Sequence, residues 1–373
     1  MKKVLVTIPC LLFGGTEYQT LNLVKALKDL GYDVKVLCYF EYDNKMVVYF
    51  KEAGADVELM TKSGIRPKKF RKLFFELFFG LKKTIKNYNP DIVHVQYMAP
   101  GSLSILILKL LKVRNIIATA HVPGHIYKRK WIPKFLIKYF LKAFICVSKS
   151  SEESFFNEKG KIFNKEDFKR GRKHFTIYNC IEKLPKNCLS EKNELNIGIV
   201  SRISYEKGID ILLKALPFVK NFHKLMIVGD GKEYKKEILD LANELKINDK
   251  IVWAGKQPRE KIFDFYKKMD VVLIPSRFEG FGLSAIEAMS CGKIVIASNV
   301  DGLKEIIENG INGFLFEKEN EKDLANKINY VIENFDKLEN IRIKAKETVK
   351  NKFSFCKYKK KINDLYEAVL GMN

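Results

Sequence analysis

The segment EGFGLSAIE places the carboxylates of Glu279 and Glu287 on either side of two glycines that follow an apolar strand pattern, VVLIP. Glycines allow a ligand to approach the backbone closely, and the free N–H groups of a helix that begins near Leu283 attract anions. A carboxylate accepts two hydrogen bonds, so it can hold the vicinal hydroxyls of a sugar. The segment therefore predicts a site for a ligand with both an anionic group and a sugar, in which Gly280 and Gly282 lie at the anion.

A second segment, SRISYEKG, follows the strand pattern LNIGIV and supplies two cations, Arg202 and Lys207. A guanidinium fork and an ammonium group both suit phosphate oxygens. Two carboxylates would repel a diphosphate unless cations intervene, so we expect both cations to lie at the same site as the two glutamates. The sequence contains no Asp-x-Asp pair, so we expect no Mg²⁺ held by paired aspartates and no other metal.

Two further candidates follow strand patterns in the first half of the chain. FGGTE places Gly14 and Gly15 directly before a helical pattern, where they serve either a ligand or only a tight turn. IIATAH ends a strand in His121, whose position at a loop makes it a candidate catalytic residue. His94, inside the strand pattern DIVHVQ, is expected to be structural.

Strand-length apolar runs alternate with helical patterns along the chain. One series contains KVLVTIP, DVKVLCYF, DIVHVQ, NIIATA and FICVS and ends with the strand-like FTIYN, and a second contains LNIGIVS, KLMIVGDG, KIVWAG, VVLIP and KIVIAS. The segment CIEKLPKNCLSEKNE between them has neither period, so we place the linker there. The alternation predicts an α/β fold of two tandem Rossmann-like domains, residues 1–180 and 190–353, that face each other across a cleft. A helical pattern at about 354–373 can pack back on the first domain.

Composition limits where the protein works. The chain has 373 residues, 47% of them hydrophobic, which is enough for two cores, and it contains no apolar run long enough to span a membrane. Its seven cysteines form no C-x-x-C pair. We therefore expect reduced, mostly buried thiols in the cytosol, without disulfides or zinc.

The net charge of +23 is concentrated in the first part of the chain. Residues 1–150 contain 26 Lys and Arg against 10 Asp and Glu, and residues 92–151 contain no acid. This predicts an anionic partner, either a membrane surface or a polyanion. A solvated basic face without a partner would give the same composition.

A helical pattern at RPKKFRKLFFELFFGLKKTIKNY, residues 66–88, favours the membrane surface. One face of this helix can fill the core, and extra phenylalanines widen the apolar surface, which lysines and arginines border. The predicted core face consists of Phe70, Phe74, Leu77, Leu81 and Ile85, and the extra phenylalanines are Phe75, Phe78 and Phe79. An ordinary core helix with a basic face explains the first set but not the second.

Taken together, these segments resemble the retaining glycosyltransferases of family four, which have the two-domain GT-B architecture. The resemblance covers essentially the whole chain. It rests on the two glutamates of EGFGLSAIE, on RISYEKG, and on GGTE, VGDG and GLKEIIENGINGFLF, which occur in the expected order.

The resemblance implies a role for each candidate residue. Glu287 holds the ribose of a nucleotide, and His121 lies beside the reacting carbon. Glu279 and the amides around Phe281 and Gly282 hold the donor sugar. The two cations of RISYEKG bind the donor diphosphate and stabilise it as it leaves.

The resemblance also implies the partners. The donor is a UDP- or GDP-sugar, and neither a cofactor nor a nucleic acid is expected. The acceptor is a saccharide, most simply a lipid-linked one used in bacterial surface-polysaccharide synthesis. The enzyme would then work in the cytoplasm, peripherally on the inner face of the membrane.

Other classes stay open at this point. A nucleotide-sugar epimerase or a sugar phosphorylase would share the GT-B fold, but neither releases free nucleotide only when an acceptor is supplied. A nucleic-acid-binding protein would explain the charge, and it predicts salt-sensitive polyanion binding that does not depend on Glu279. A nicotinamide oxidoreductase fits less well, because FGGTE is not G-x-G-x-x-G.

Overall fold

The computed structural model describes residues 1–61, 63–97, 101–127, 131–182, 185, 195–231 and 234–371. Contacts within the chain divide it into two compact units. Unit 1 consists of Met1–Cys180 together with Phe355–Asn373, and unit 2 consists of Ile181–Ser354. Most of the predicted linker, residues 180–194, lies outside the described residues.

The described part of unit 1 contains seven strands: β1 (Lys3–Ile8), β2 (Asp33–Cys38), β3 (Asp56–Leu59), β4 (Ile92–Tyr97), β5 (Ile116–Ala120), β6 (Ala143–Cys146) and β7 (His174–Thr176). They form one parallel sheet in the order β3-β2-β1-β4-β5-β6-β7. In β1, Val4 lies opposite Val34 on one side and Ile92 on the other, so β1 is central. Its continuous apolar run is buried because helices cover both faces of the sheet.

The helices that connect these strands are α1 (Gly15–Asp29), α2 (Asn44–Glu52), α3 (Phe70–Tyr88), α4 (Gly101–Leu110), α5 (Trp131–Tyr139), α6 (Lys149–Phe156) and α7 (Lys165–Lys169). Neighbouring side chains of a strand point to opposite faces. Val4 and Val6 accordingly belong to one core, which α1, α2 and α7 cover. Leu5 belongs to the other core, which α3 to α6 cover.

The described part of unit 2 contains six strands: β8 (Ile197–Val200), β9 (Leu225–Val228), β10 (Ile251–Gly255), β11 (Val271–Ile274), β12 (Ile294–Ser298) and β13 (Phe314–Phe316). They form a second parallel sheet in the order β10-β9-β8-β11-β12-β13. Its helices are α8 (Ile209–Ala215), α9 (Tyr234–Glu244), α10 (Arg259–Lys267), α11 (Leu283–Ser290), α12 (Leu303–Ile306), α13 (Glu321–Glu333) and α14 (Glu339–Lys352).

The last helix, α15 (Phe355–Leu370), belongs to unit 1. It packs against α1 and places Ile362, Leu365 and Tyr366 in the same core as Val4 and Val6. The buried hydroxyl of Tyr366 lies 2.7 Å from His94 Nδ1. This contact ties α15 to the middle of the sheet.

The predicted α/β fold of two parallel, helix-covered sheets is confirmed. The prediction missed β3 and β13, which have four and three residues and are too short to show a period. It was also wrong for Phe70, which is 68% exposed because α3 begins there and its buried positions start only at Leu77. Phe78, predicted as an extra surface residue, is half-buried and stacks on Phe74.

Candidate functional site in unit 2 and a polar pocket in unit 1

The central strands of unit 2 place two loops side by side. β8 and β11 are neighbours in the sheet, although the chain forms β9 and β10 between them. A parallel sheet opens a crevice at the carboxyl ends of strands where the strand order reverses in this way. The loop after β8, residues 201–208, meets the loop after β11, residues 275–282, and the N–H of Arg277 donates to the carbonyl oxygen of Glu206 at 2.9 Å.

The loop after β11 leads into α11 through a glycine turn. The helix begins at Leu283, as the sequence predicts, and Gly282 precedes it with a φ of 114°, a left-handed conformation that favours glycine. A Cβ at Gly282 would lie 2.7 Å from Leu303 Cδ2. Phe281 is buried and packs edge-on against Phe353. Because the first N–H groups of a helix have no partner within it, the start of α11 can bind an anion.

Lys207 and Glu279 join the two loops directly. Lys207 Nζ donates to Glu279 Oε2 at 2.5 Å, and 19% and 17% of the two side chains are exposed. A charge-assisted hydrogen bond in such a sheltered place is stronger than one on the surface. The structure thus brings together one predicted cation and one predicted carboxylate, next to Gly280 and the start of α11.

Arg202 occupies a different position in the same region. Its Nη2 donates to Glu206 Oε1 at 3.0 Å, and 72% of the side chain is exposed. An exposed ion pair of this kind holds a side chain only weakly. Within the described residues, Arg202 forms no ion pair with Glu279 or Glu287, in contrast to Lys207.

Glu287 is buried in α11 and is paired with a cation that the sequence analysis did not identify. Arg259, the first residue of α10, forms an ion pair with Glu287 Oε1, and the hydroxyl of Tyr266 donates to Glu287 Oε2 at 3.2 Å. Burial and the neighbouring carboxylate raise the pKa of Tyr266 well above its ordinary value, so the phenol keeps its proton. No local pattern could have identified Arg259, because only the fold brings α10 to Glu287.

His121 lies in unit 1, directly after β5. Its Nε2 is 2.7 Å from Oε1 of Gln96, the buried side chain near the end of the neighbouring strand β4. An amide oxygen only accepts hydrogen bonds, so Nε2 carries the proton and Nδ1 keeps a lone pair. Burial lowers the pKa of His121 to about 4, which makes the imidazole neutral at physiological pH.

His94 is structural, as the sequence predicts. Its Nδ1 lies 2.7 Å from the hydroxyl of Tyr366, and its Nε2 lies 2.7 Å from the hydroxyl of Thr119. Burial, with a smaller contribution from His121, lowers the pKa of His94 to about 3. The ring is therefore neutral and joins α15 to the sheet.

A small pocket lies at the carboxyl ends of β4 to β7, on the side covered by α1 and α15. The polar side chains around it are neutral: Gln19, Gln96, Thr119, His121, Asn179 and Tyr358. Within the described part of unit 1, the buried Nε2 of Gln96 has no hydrogen-bond partner. Neutral donors and acceptors of this kind suit hydroxyl groups rather than ions.

Gly14 and Gly15 stand at the start of α1 in unit 1. Gly14 is the residue before the helix and has an extended backbone, and Gly15 is its first helical residue. A Cβ at Gly14 would lie 2.5 Å from Oε2 of the buried Glu17. Gly14 therefore packs against an acid at a helix start, and both glycines lie in a different unit from Arg202, Lys207 and the glycines before α11.

The described residues contain no cluster of three or more His, Cys, Asp or Glu side chains that could hold a metal ion. Six of the seven cysteines lie in the described part of the chain, and none of these six forms a disulfide; Cys356 is the exposed one among them. Cys188 lies outside the described residues. None of the helices in the described ranges has the length and apolar character needed to cross a membrane.

Comparison with known proteins identifies the class. Residues 13–161 match the family model of glycosyltransferase family 4, and residues 181–348 match that of glycosyl transferases group 1. The fold is shared with a crystal structure of HepE from Anabaena in complex with UDP-glucose, with a TM-score of 0.78, 21% identity, and coverage of 98% of this chain and all of that one. The protein therefore has the two-domain GT-B fold of glycosyltransferases.

The family follows from the sequence relatives. An uncharacterised glycosyltransferase of Methanocaldococcus jannaschii is 30% identical over 99% of both chains. The N,N'-diacetylbacillosaminyl-diphospho-undecaprenol alpha-1,3-N-acetylgalactosaminyltransferase of Campylobacter jejuni is 26% identical over 86% of this chain and 87% of its own. The protein belongs to glycosyltransferase family four, as its sequence motifs predict.

Proposed function

We propose that the protein transfers a sugar, with retention of configuration, from a nucleotide diphosphate sugar to a saccharide acceptor. The observation that carries this proposal is the Lys207–Glu279 pair beside the start of α11. An ammonium group and a helix start suit a diphosphate, and a carboxylate at the same place suits the hydroxyls of the attached sugar. The bound UDP-glucose of HepE, which shares the fold, supports a donor of this class.

The proposed mechanism uses the charges of unit 2. Lys207, Arg202 and the start of α11 neutralise the diphosphate as it leaves, so that no metal ion is needed. Retention requires that the acceptor attacks from the face from which the diphosphate departs. Glu279 orients the donor sugar, Glu287 the ribose, and His121 acts at the reacting carbon.

Pre-formed ion pairs make such a site possible before the donor binds. Lys207 neutralises Glu279, and Arg259 neutralises the buried Glu287. A diphosphate can attract Lys207 while the freed carboxylate accepts sugar hydroxyls. The site then exchanges one set of charge-assisted hydrogen bonds for another, so that neither Lys207 nor Glu279 is left without a hydrogen-bond partner.

The first experiment is a screen of UDP-, GDP- and ADP-sugars by thermal shift, followed by transfer assays with saccharide acceptors. The proposal predicts that one donor class stabilises the protein and that nucleotide diphosphate is released faster when an acceptor is present. Nucleotide-sugar interconversion without an acceptor would support an epimerase, and phosphate-dependent cleavage of a saccharide would support a phosphorylase. Tight, salt-sensitive binding of RNA that survives a Glu279→Ala change would support a polyanion-binding protein.

We further propose that the acceptor is lipid-linked and that unit 1 docks on the inner, anionic face of a membrane. The polyprenyl diphosphate in the name of the Campylobacter jejuni relative supports an acceptor of this kind. The helices α3, α4 and α5 lie side by side on one face of the sheet. Phe75 and Phe79 stack on each other on the outside of α3, with 53% and 60% of their surface exposed.

α5 extends this surface with Trp131, which is 63% exposed, and with Phe135 and Tyr139. We call these five aromatic residues of α3 and α5 the basic aromatic surface, because lysines and arginines accompany them on the same helices. The accompanying cations on these helices are Arg71, Lys72, Lys82, Lys83, Lys86, Lys134 and Lys138, and Lys69 lies directly before α3. Each Lys or Arg near an anionic leaflet contributes about 1 kcal/mol to the free energy of binding. Because these cations accompany the aromatic residues, we propose an anionic lipid surface as the partner rather than an uncharged apolar surface.

The membrane proposal is tested by flotation with vesicles of phosphatidylglycerol or of phosphatidylcholine alone, at low and high salt. We expect binding to anionic vesicles that added salt weakens, and a large loss when Phe75 and Phe79 are both changed to Ser. Phe218→Ser in unit 2 is the matched control, because Phe218 is equally exposed, at 53%. Equal binding to both lipids, or no binding at low salt, would contradict the proposal.

A further inference from the structure

Arg277 lies in the loop after β11, two residues before Glu279, and its guanidinium group is occupied by protein groups. Nη1 donates to the carbonyl oxygen of Tyr205 at 2.7 Å and to Asp210 Oδ1 at 2.9 Å, and Nη2 donates to Asp210 Oδ2 at 2.7 Å. Nε donates to Glu319 Oε1 at 2.8 Å. Because a guanidinium group has five N–H donors, four of which are used here, Arg277 serves the protein rather than a ligand.

These contacts hold the short helical turn Tyr205–Lys207, which carries the cation of the candidate site. The guanidinium carbon lies 3.9 Å from the centroid of the Tyr205 ring, a stacking contact. The backbone N–H of Arg277 also donates to the carbonyl oxygen of Glu206 at 2.9 Å. Side chain and backbone of Arg277 therefore fix the two residues directly before Lys207.

The loop after β8 and the loop after β11 are in close backbone contact at Gly208 and Pro275. Gly208 follows the turn with a φ of 63°, and a Cβ there would lie 2.0 Å from the carbonyl oxygen of Pro275. Only glycine permits both this conformation and this approach. The position of Lys207 thus depends directly on the loop after β11.

The bond between Arg277 and Asp210 is sheltered and bidentate. Only 11% and 13% of the two side chains are exposed. Burial opposes the charged form of Asp210, but hydrogen bonds from Arg277 outweigh it and hold the pKa of the carboxyl below its ordinary value. An aspartate charged in this way at the start of α8 gives Arg277 a fixed anchor.

We propose that Arg277 is a positioning residue for the donor: it clamps the turn that carries Lys207 against the loop that carries Glu279. Arg277 does so without touching the donor. The identity of the ligand in this inference rests on the proposed function, whereas the clamp itself rests on the contacts of Arg277 alone.

The clamp is tested first without any ligand. Amide hydrogen exchange in peptides that cover residues 204–210 should become faster in Arg277→Ala than in the wild type, because the turn loses its side-chain contacts. Arg342→Ala is the matched control in the same unit. Arg342 also donates to a backbone carbonyl, that of Gly292, and to a carboxylate, that of Glu339, but it lies in α14. Unchanged exchange at residues 204–210 in Arg277→Ala would overturn the clamp, whatever the ligand is.

The second test is a double-mutant cycle on the affinity for UDP and GDP, measured by calorimetry on the full chain. Arg277→Ala alone should raise the Kd of whichever diphosphate binds by about tenfold, because the ammonium group of Lys207 is displaced. In a Lys207→Ala background, Arg277→Ala should lower the affinity for the diphosphate little further, because the clamp acts through Lys207. Fully additive losses would overturn the positioning role. If Lys207→Ala binds both diphosphates as the wild type does, the proposed function fails, and the exchange experiment still decides the clamp.

Discussion

Both units place polar side chains at the carboxyl ends of their central strands, but the two sets of residues differ in charge. In unit 2 the carboxylates are matched by cations, in the pairs Lys207–Glu279, Arg259–Glu287 and Arg277–Asp210. In unit 1 the pocket is surrounded by neutral amides, two hydroxyl groups and an imidazole that burial keeps uncharged. The same architecture thus supports two different chemistries.

The difference follows from what each set of groups can bind. A sheltered cation with a carboxylate partner can exchange that partner for a phosphate, so unit 2 suits a ligand that carries charge. Neutral amides and a neutral imidazole make directed hydrogen bonds to hydroxyl groups, so the small pocket of unit 1 suits uncharged hydroxyl groups rather than ions. The two units should therefore respond to mutation in different ways.

Among changes at the neutral pocket of unit 1, His121→Ala should have the largest effect. We expect turnover to fall about a hundredfold, as for the loss of a group that acts in the transition state, while donor affinity changes by less than about twofold. Steady-state kinetics and calorimetry with the same donor separate the two quantities. His125→Ala, an exposed histidine four residues on, is the control. Turnover that survives in His121→Ala would make His121 structural.

Lys207→Ala should give the opposite pattern in unit 2. The loss of one charge-assisted contact to a diphosphate costs about 1.5–3 kcal/mol, which raises the Kd of the donor roughly 10- to 150-fold. Arg202→Ala should cost less, because the Arg202 side chain is mostly exposed and its charge is screened by solvent. Lys344→Ala, which removes a surface pair with Glu347, should leave donor affinity unchanged. Unaltered donor affinity in both site variants would rule out this assignment.

The neutral histidines of unit 1 predict how stability depends on pH. Burial lowers the pKa of His94 to about 3 and that of His121 to about 4. Below pH 6.5 the unfolded chain binds protons that the folded chain does not bind, so stability falls as the pH drops from about 6.5 toward these values. The slope is at most about 1.4 kcal/mol per pH unit for each histidine.

Denaturant unfolding at a series of pH values tests this prediction. His94→Gln should reduce the slope between about pH 6 and pH 4, because it removes one of the two histidines whose pKa is lower in the folded than in the unfolded chain. His125→Gln serves as the exposed control. If both variants keep the wild-type slope, the acid sensitivity arises elsewhere.

Gln96→Leu should show the smallest effect. It removes the acceptor that holds the Nε2 proton of His121, at a cost of about 1 kcal/mol, or roughly a fivefold loss in turnover. Gln96→Glu keeps an acceptor at this position and adds a charge that should raise the pKa of His121. A pH–rate profile that moves with Gln96→Glu would distinguish positioning of the imidazole from a general loss of stability. Identical profiles for wild type and Gln96→Glu would contradict the pairing.

The sequence predicted the parts of this molecule that depend on local patterns. The strand patterns VVLIP and LNIGIV occur as β11 and β8, and α11 begins at Leu283 because Gly282 permits the turn before it. The proximity of Lys207 and Glu279 could also be foreseen, because loops at the carboxyl ends of parallel strands meet at one edge of a sheet.

The partners of the candidate residues could not be predicted in the same way. Arg259 reaches Glu287 from another helix, and Gln96 reaches His121 from a neighbouring strand, so neither pair leaves a spacing signal. Arg277 stands within the motif PSRFEG, but its role depends on Asp210, which only the packing of α8 brings near. Phe70 follows the helical period of α3 yet is exposed. This could not be predicted, because periodicity does not reveal where along its length a helix packs against the sheet.

The central claim is that the charged loops of unit 2 recognise a nucleotide through its diphosphate. The most direct measurement is calorimetric titration of the protein with UDP, GDP and ADP, each beside its nucleoside, at low and high salt. We expect one diphosphate to bind far more tightly than its nucleoside, and we expect salt or Lys207→Ala to reduce this difference. Nucleosides that bind as tightly as their diphosphates, with no effect of salt or of Lys207→Ala, would contradict the central claim.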